Sequence, residues 1–238
     1  ISEIRPLLKK RSDGHLRDLV LDLLAGSPAI TYLTNELRSI ALSPQEGEYT
    51  RVMAIDCLLD RDDDYHHYHD LAILIFQASQ ASLRVAAQII EKRGTENSNK
   101  QCLIDFFYAC SHLYPTHRDF LEVTIGSRYF IKHLAKKLGL VTTEYLLNEL
   151  TKDLSCDCGK KSYECECRNG ISKVVGLLLD NYFALASGPY DPIQIWGWVQ
   201  NLNFEQNKGP DESKSVEVLR ADNTLRENII KHVFGSLS

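Results

Sequence analysis

HLRDLVLDLLAG, residues 15–26, decides the fold. Leu16, Leu19, Val20, Leu23 and Leu24 recur at three- and four-residue steps, which predicts one apolar face of a helix. Gly26 then supplies a natural C-terminal stop. The pattern returns in YTRVMAIDCLLD (49–60), through Val52, Ile55, Leu58 and Leu59. It returns again in SLRVAAQIIEKRG (82–94), through Leu83, Ala86, Ala87 and Ile90, with Gly94 as the stop. HRDFLEVTIGSRYFIKHLAKKLG (117–139) is longer and predicts a helix ending at Gly139. No alternating apolar–polar run competes with these segments, so the chain reads as all-α.

The helices have a period. Arg17, Arg51, Arg84 and Arg118 fall 34, 33 and 34 residues apart, each early in an amphipathic segment. A second helix is expected after each of the first three, around Ile30–Leu42, Tyr68–Ser79 and Lys100–His112. Helix pairs at this step read as a HEAT-like α-solenoid. The regularity breaks after Gly139. A short helix (Thr143–Leu154) precedes a cysteine-rich segment, and ISKVVGLLLDNYFALA (171–186) is apolar nearly all round, the mark of a buried helix. SGPYDP (187–192) separates it from IQIWGWVQNL (193–202), and Thr224 with Glu227 has the spacing of a capping box for the last helix. The expected organisation is HEAT-like repeats over 1–140 and a helical cap over 141–238. The cap carries a small cysteine-rich insert at 156–167.

Composition narrows the function classes. The 238 residues are 44% hydrophobic and 25% charged, with formal net charge -5, an ordinary globular balance that argues against a general nucleic-acid binder. No apolar run approaches the roughly 20 residues that span a bilayer. The start, ISEIRPLLKK, lacks the hydrophobic core of a signal peptide. Ile1 opens the sequence and Met53 is its only methionine, which reads as a piece of a longer chain. Seven cysteines in a chain of this size do not form a secreted disulfide scaffold, so a cytoplasmic setting is expected.

Four of those cysteines lie in CDCGKKSYECECRNG (156–170). Two Cys-x-Cys pairs, Cys156/Cys158 and Cys165/Cys167, can fold back around one zinc ion as a closed, structural four-thiolate site. Gly159 sits where the turn needs a positive φ, and Lys160, Lys161 and Arg168 offset the thiolate charge. Free thiols and a redox or disulfide pair are the alternatives. DRDDDYHHYHD (60–70) is the second concentration of ligands. His66, His69 and Asp70 would share a helical face able to hold a metal and activate water, the basis of a stand-alone hydrolase reading. The plainer reading is a loop between repeat helices whose carboxylates favour a helix N-terminus. Walker, G-x-G-x-x-G and G-x-S-x-G motifs are absent. Lys132, Lys136, Lys137, Lys160 and Lys161 would make the phosphate contacts of a nucleic-acid-sensing scaffold, against the acidic net charge. Of Trp196 and Trp198, two residues apart, one is expected in the core and the other half exposed.

CECRNGISKVVGLLLDNYF (165–183), IWGWVQNL (195–202) and SVEVLRADNTLRENIIKHVFG (215–235) resemble the helical region downstream of the NTPase module in bacterial NACHT-type STAND proteins. IRPLLKKRSDGHLRDLVLDLLAG (4–26) is similar to the HEAT-like array there. Those proteins join an N-terminal effector, a central NTPase and a C-terminal helical sensor, and many act in antiviral defence. The resemblance implies a non-catalytic sensor or regulatory module. Its partner would be a protein or another domain of its parent chain. No nucleotide site is carried over.

Overall fold

The computed structural model describes residues 2–9, 14–60, 67–95, 98–114, 128–152, 154, 159, 167–202 and 213–235. Among these are 13 α-helices and no strand, so the fold is all-helical. The chain divides into two compact units, Ile1–Ser98 and Asn99–Ser238. The boundary expected near residue 140 falls inside the second.

The first unit contains α1 (Ile4–Lys9), α2 (Gly14–Leu24), α3 (Thr34–Leu42), α4 (Glu48–Leu59), α5 (His67–Gln77) and α6 (Gln80–Arg93). Each odd helix packs on the even helix that follows it. The even helices also stack in order, α2 on α4 and α4 on α6, while α1 meets α3 and α3 meets α5. The result is three helix pairs in two layers. Gly26 at φ 71° and Gly94 at φ 82° take the positive φ that ends α2 and α6, as their positions in the sequence predicted. Between α5 and α6 only Ala78 and Ser79 turn the chain. Ala78 has φ 50°, and Ser79 caps α6 in a reciprocal box with Ser82.

Most of the predicted apolar faces of α4 and α6 are interior: Ile55, Leu58, Leu59, Leu83, Ala86, Ala87 and Ile90 are buried, and Val52 is half-buried. The face of α2 does not. Arg17, Leu21 and Leu24 are buried there, and Leu16, Leu19 and Leu23 are exposed. The reason is Arg17, whose guanidinium forms a bidentate pair with Glu46 and so enters the core as a neutralised group.

The second unit is arranged around one helix. It contains α7 (Lys100–Ser111), α8 (Tyr129–Lys137), α9 (Leu140–Thr151), α10 (Asn169–Leu185), α11 (Pro192–Val199), α12 (Lys214–Ala221) and α13 (Asn223–Phe234). Helix α10 packs against α7, α8, α9 and α12, consistent with its all-round apolar sequence. At its start it passes so close to α7 that a Cβ on Gly170 would lie 2.1 Å from the Ser111 carbonyl oxygen. Deeper in, the Asn181 amide donates to the Leu138 carbonyl and to Thr143 Oγ1, both at 3.0 Å. Trp198 is core and Trp196 half-buried. Trp198 packs edge-on against Tyr182 and donates its indole N–H to Asn148 Oδ1 at 2.7 Å.

Several helix ends differ from the sequence reading: α9 runs over Leu140–Thr151 where the sequence predicts Thr143–Leu154, and two caps change. Gly139, at φ -70°, does not terminate α8; it is the N-cap of α9, and α8 ends at Lys137. The last helix is capped by Asp222, whose carboxylate accepts from the Leu225 N–H at 2.9 Å, and Thr224 lies inside it. A carboxylate at the N-cap position meets the helix dipole directly, which displaces the Thr224–Glu227 box.

Candidate functional site

The most regular chemistry of the first unit is a set of side-chain bonds between neighbouring helix pairs. Thr50 donates to Asp18, Gln80 to Glu48, Gln88 to Asp56 and Lys92 to Asp60, each spanning 32 residues at 2.7–2.9 Å. In this layer the donor always sits on the later helix. The other layer reverses the polarity. Arg5 on α1 pairs with Glu36 on α3, and Arg38 on α3 forks onto Asp70 on α5. Most of these bonds are partly solvated and weak, which makes them a register device more than a source of stability. Asp70 is the exception, since it is fully buried beneath Arg38. Asp56 is also affected: burial raises its carboxyl above the ordinary value, and the Gln88 bond opposes the rise.

Arg51 is the other buried cation. It is 1% exposed, with Nε on the Ala41 carbonyl at 2.9 Å and a terminal nitrogen on Gln77 Oε1 at 2.7 Å. Gln77 in turn donates to the Leu42 carbonyl. Two carbonyls at the end of α3, orphaned by helix geometry, are thus closed by side chains of α4 and α5. Desolvation lowers the Arg51 pKa. The arginine period marks an interior position only in its first two members: Arg17 and Arg51 are buried, while Arg84 reaches Glu48 from a half-exposed site. Arg118 lies outside the described residues.

Two surfaces of this unit could meet a ligand or partner. A cleft of about 340 Å³ lies among α1, α2 and α3, with Arg17 and Glu46 in its wall and Lys9, Asn35, Ser39 and Ser43 adding polar groups. Its buried cation, Arg17, is already held by Glu46. The second surface is the outer side of α5. There Tyr68, Ala72 and Phe76 follow one another at four-residue steps, all exposed, Phe76 to 91%. Aromatic side chains on an ordered helix are the residue type that anchors protein interfaces. Sequence reading placed Tyr68 and Phe76 within a repeat helix without singling them out.

The proposed metal ligands are only partly brought into view. His66 lies outside the described residues, His69 is exposed on α5, and Asp70 is buried under Arg38. Cys156, Cys158 and Cys165 also lie outside the described residues, as do Lys160 and Lys161. Cys167 is exposed in the turn leading into α10. Gly159 has φ 69°, the positive φ expected after the first cysteine pair. No group of three or more His, Cys, Asp or Glu able to hold a metal occurs among the described residues. Lys132, Lys136 and Lys137 are exposed on α8. Cys57 and Cys110 are buried and Cys102 half-buried; burial pushes the Cys57 and Cys102 thiols up to about 11 and Cys110 well above its ordinary value. That direction is the opposite of what a nucleophilic thiolate needs.

No helix among the described residues is long and apolar enough to cross a membrane. No protein-family model, curated protein or solved structure matches the chain.

Proposed function

We propose that the chain is a HEAT-like α-solenoid interaction module, the sensing or regulatory part of a larger cytoplasmic STAND-type NTPase. On this reading it has no catalysis of its own. The observation that carries the proposal is the 32-residue ladder between stacked helix pairs. A fixed step between like helices is the construction principle of solenoids, whose use is an extended surface for another protein. The helix pairs within residues 1–98 belong to the array. The exposed Tyr68–Phe76 side of α5 is the surface that meets a protein partner or another domain of the parent. The hydrolase alternative is not advanced, because Asp70 is committed to Arg38.

Two tests apply. The coding sequence upstream of Ile1 should encode a Walker loop; an upstream region without one removes the NTPase assignment. In the parent, replacing Tyr68 and Phe76 together by serine should abolish activation or partner binding while thermal unfolding stays unchanged. Full activation of that double variant would refute α5 as the contact surface.

The cysteine segment enters the same proposal as a structural clasp, with Cys156, Cys158, Cys165 and Cys167 holding one zinc. The positive φ of Gly159 and the position of Cys167 at the foot of α10 support it. Native mass spectrometry should find one zinc per chain, lost when the four cysteines are replaced by serine. A metal-free native chain would remove the zinc.

A further inference from the structure

At 100° per residue, Leu16, Leu19, Val20 and Leu23 fan across one side of α2. Asp18 and Leu21, which bond to α4, lie on the opposite side. Leu16, Leu19 and Leu23 are 39%, 54% and 72% exposed.

The arginine register shows what this side does elsewhere. Arg17 and Arg51 stand 34 residues apart, so Leu16 corresponds to Thr50 and Leu23 to Cys57. On α4 those two positions meet the preceding helix: Thr50 Oγ1 donates to Asp18 at 2.8 Å, and Cys57 Sγ lies 3.3 Å from the Leu21 carbonyl. One repeat later the corresponding Leu83 and Ile90 are buried. Later helices of the layer use this side for packing; α2 presents it to solvent.

The pattern on α2 is also self-complementary. Set two α2 helices antiparallel about a two-fold axis beside Leu19. Leu19 then meets its own copy, and Leu16 faces Leu23 of the second chain. The exposed His15 faces the exposed Asp22, an imidazole N–H donating to a carboxylate at each end. A two-fold interface requires one patch to complement itself, and this one does in both shape and polarity.

We propose that the chain dimerises through α2, a second copy occupying the open side so that the even-helix layers of the two chains run on into one another. This inference goes beyond the interaction-module reading and rests only on the packing of the first unit.

Sedimentation equilibrium of the intact 238-residue chain, from low to high micromolar, tests it. A monomer–dimer equilibrium is expected. Leu19→Glu should raise its dissociation constant at least about tenfold, since a charge at the centre of a small apolar interface removes its anchor. Leu23→Glu, at a more exposed position, provides the same reading if Leu19→Glu unfolds. Asp22→His alone should weaken the dimer, and His15→Asp with Asp22→His should restore it by exchanging the pair. A chain that sediments as a monomer throughout overturns the proposal. So does a dimer indifferent to both glutamate variants, or a charge exchange that restores nothing.

Discussion

Helices α4 and α10 are each packed on several sides, yet they are held in different ways. Helix α4 has a like helix on either side, α2 and α6, joined to it by bonds that step 32 residues along the chain. Helix α10 has unlike neighbours and is fixed by single contacts: Gly170 against Ser111, Asn181 against Leu138, Asp180 against Ser215. Contacts of the first kind are repeated, so losing one disturbs its neighbours. Contacts of the second kind occur once, and everything around α10 depends on them. Repetition of the first kind is the construction proposed for the interaction array.

The largest expected effect follows from that difference. Gly170→Ala puts a methyl group against a backbone carbonyl that has no rotamer with which to yield. It should destabilise the α10-centred unit by about 3 kcal/mol or more. Thermal unfolding followed by circular dichroism would check it, and a wild-type midpoint would show that α10 and α7 are not so close.

In the first unit, the largest single effect should come from Arg38→Leu. It leaves the fully buried Asp70 carboxylate without its guanidinium, a loss of about 3 kcal/mol in urea unfolding. If Arg38→Leu is neutral, Asp70 is not buried beneath it.

A smaller effect is expected with pH. The Cys57 and Cys102 thiols titrate at about 11 in the folded chain against an ordinary 9.0, so folding favours the neutral form. Their contribution is complete below pH 9 and disappears as pH rises through about 11. Cys57→Ser should flatten the alkaline loss by on the order of 1 kcal/mol. An unchanged pH profile in Cys57→Ser would contradict burial of that thiol. The smallest effect belongs to the ladder's solvated end: Lys92→Ala should change stability by less than about 0.5 kcal/mol, although Asp60 raises the Lys92 pKa. A larger loss would show that the ladder stabilises the array as well as fixing its register.

Much of the architecture was legible in the sequence wherever one physical factor dominated. Gly26 and Gly94 stop their helices because a positive φ suits glycine. Helix α10 could be recognised as buried because it has little polar face to expose. Helix α2 was misread because leucine occupies so many of its positions that two different faces look apolar. What selects between them is Glu46, a partner 29 residues away that makes Arg17 an interior side chain. A pattern along one helix cannot contain that information. The ladder was in principle visible, as acids and their donors recur at a separation of 32, but only to a search for pairs and not for motifs. The exposed aromatics of α5 had no sequence signal, because Tyr68 and Phe76 on a repeat helix look like core until the neighbouring helices are placed.

Native-state hydrogen exchange, at a concentration where the chain is monomeric, tests the contrast between α4 and α10 most directly. A nearest-neighbour stack predicts that amides of α2 open at a lower free energy than those of α4, because α2 has a like helix on one side only. The amides of α7, α9 and α10 should instead share one opening free energy, since a single central helix holds them. A common value across α2, α4 and α6 would contradict the stacked-repeat account of residues 1–98.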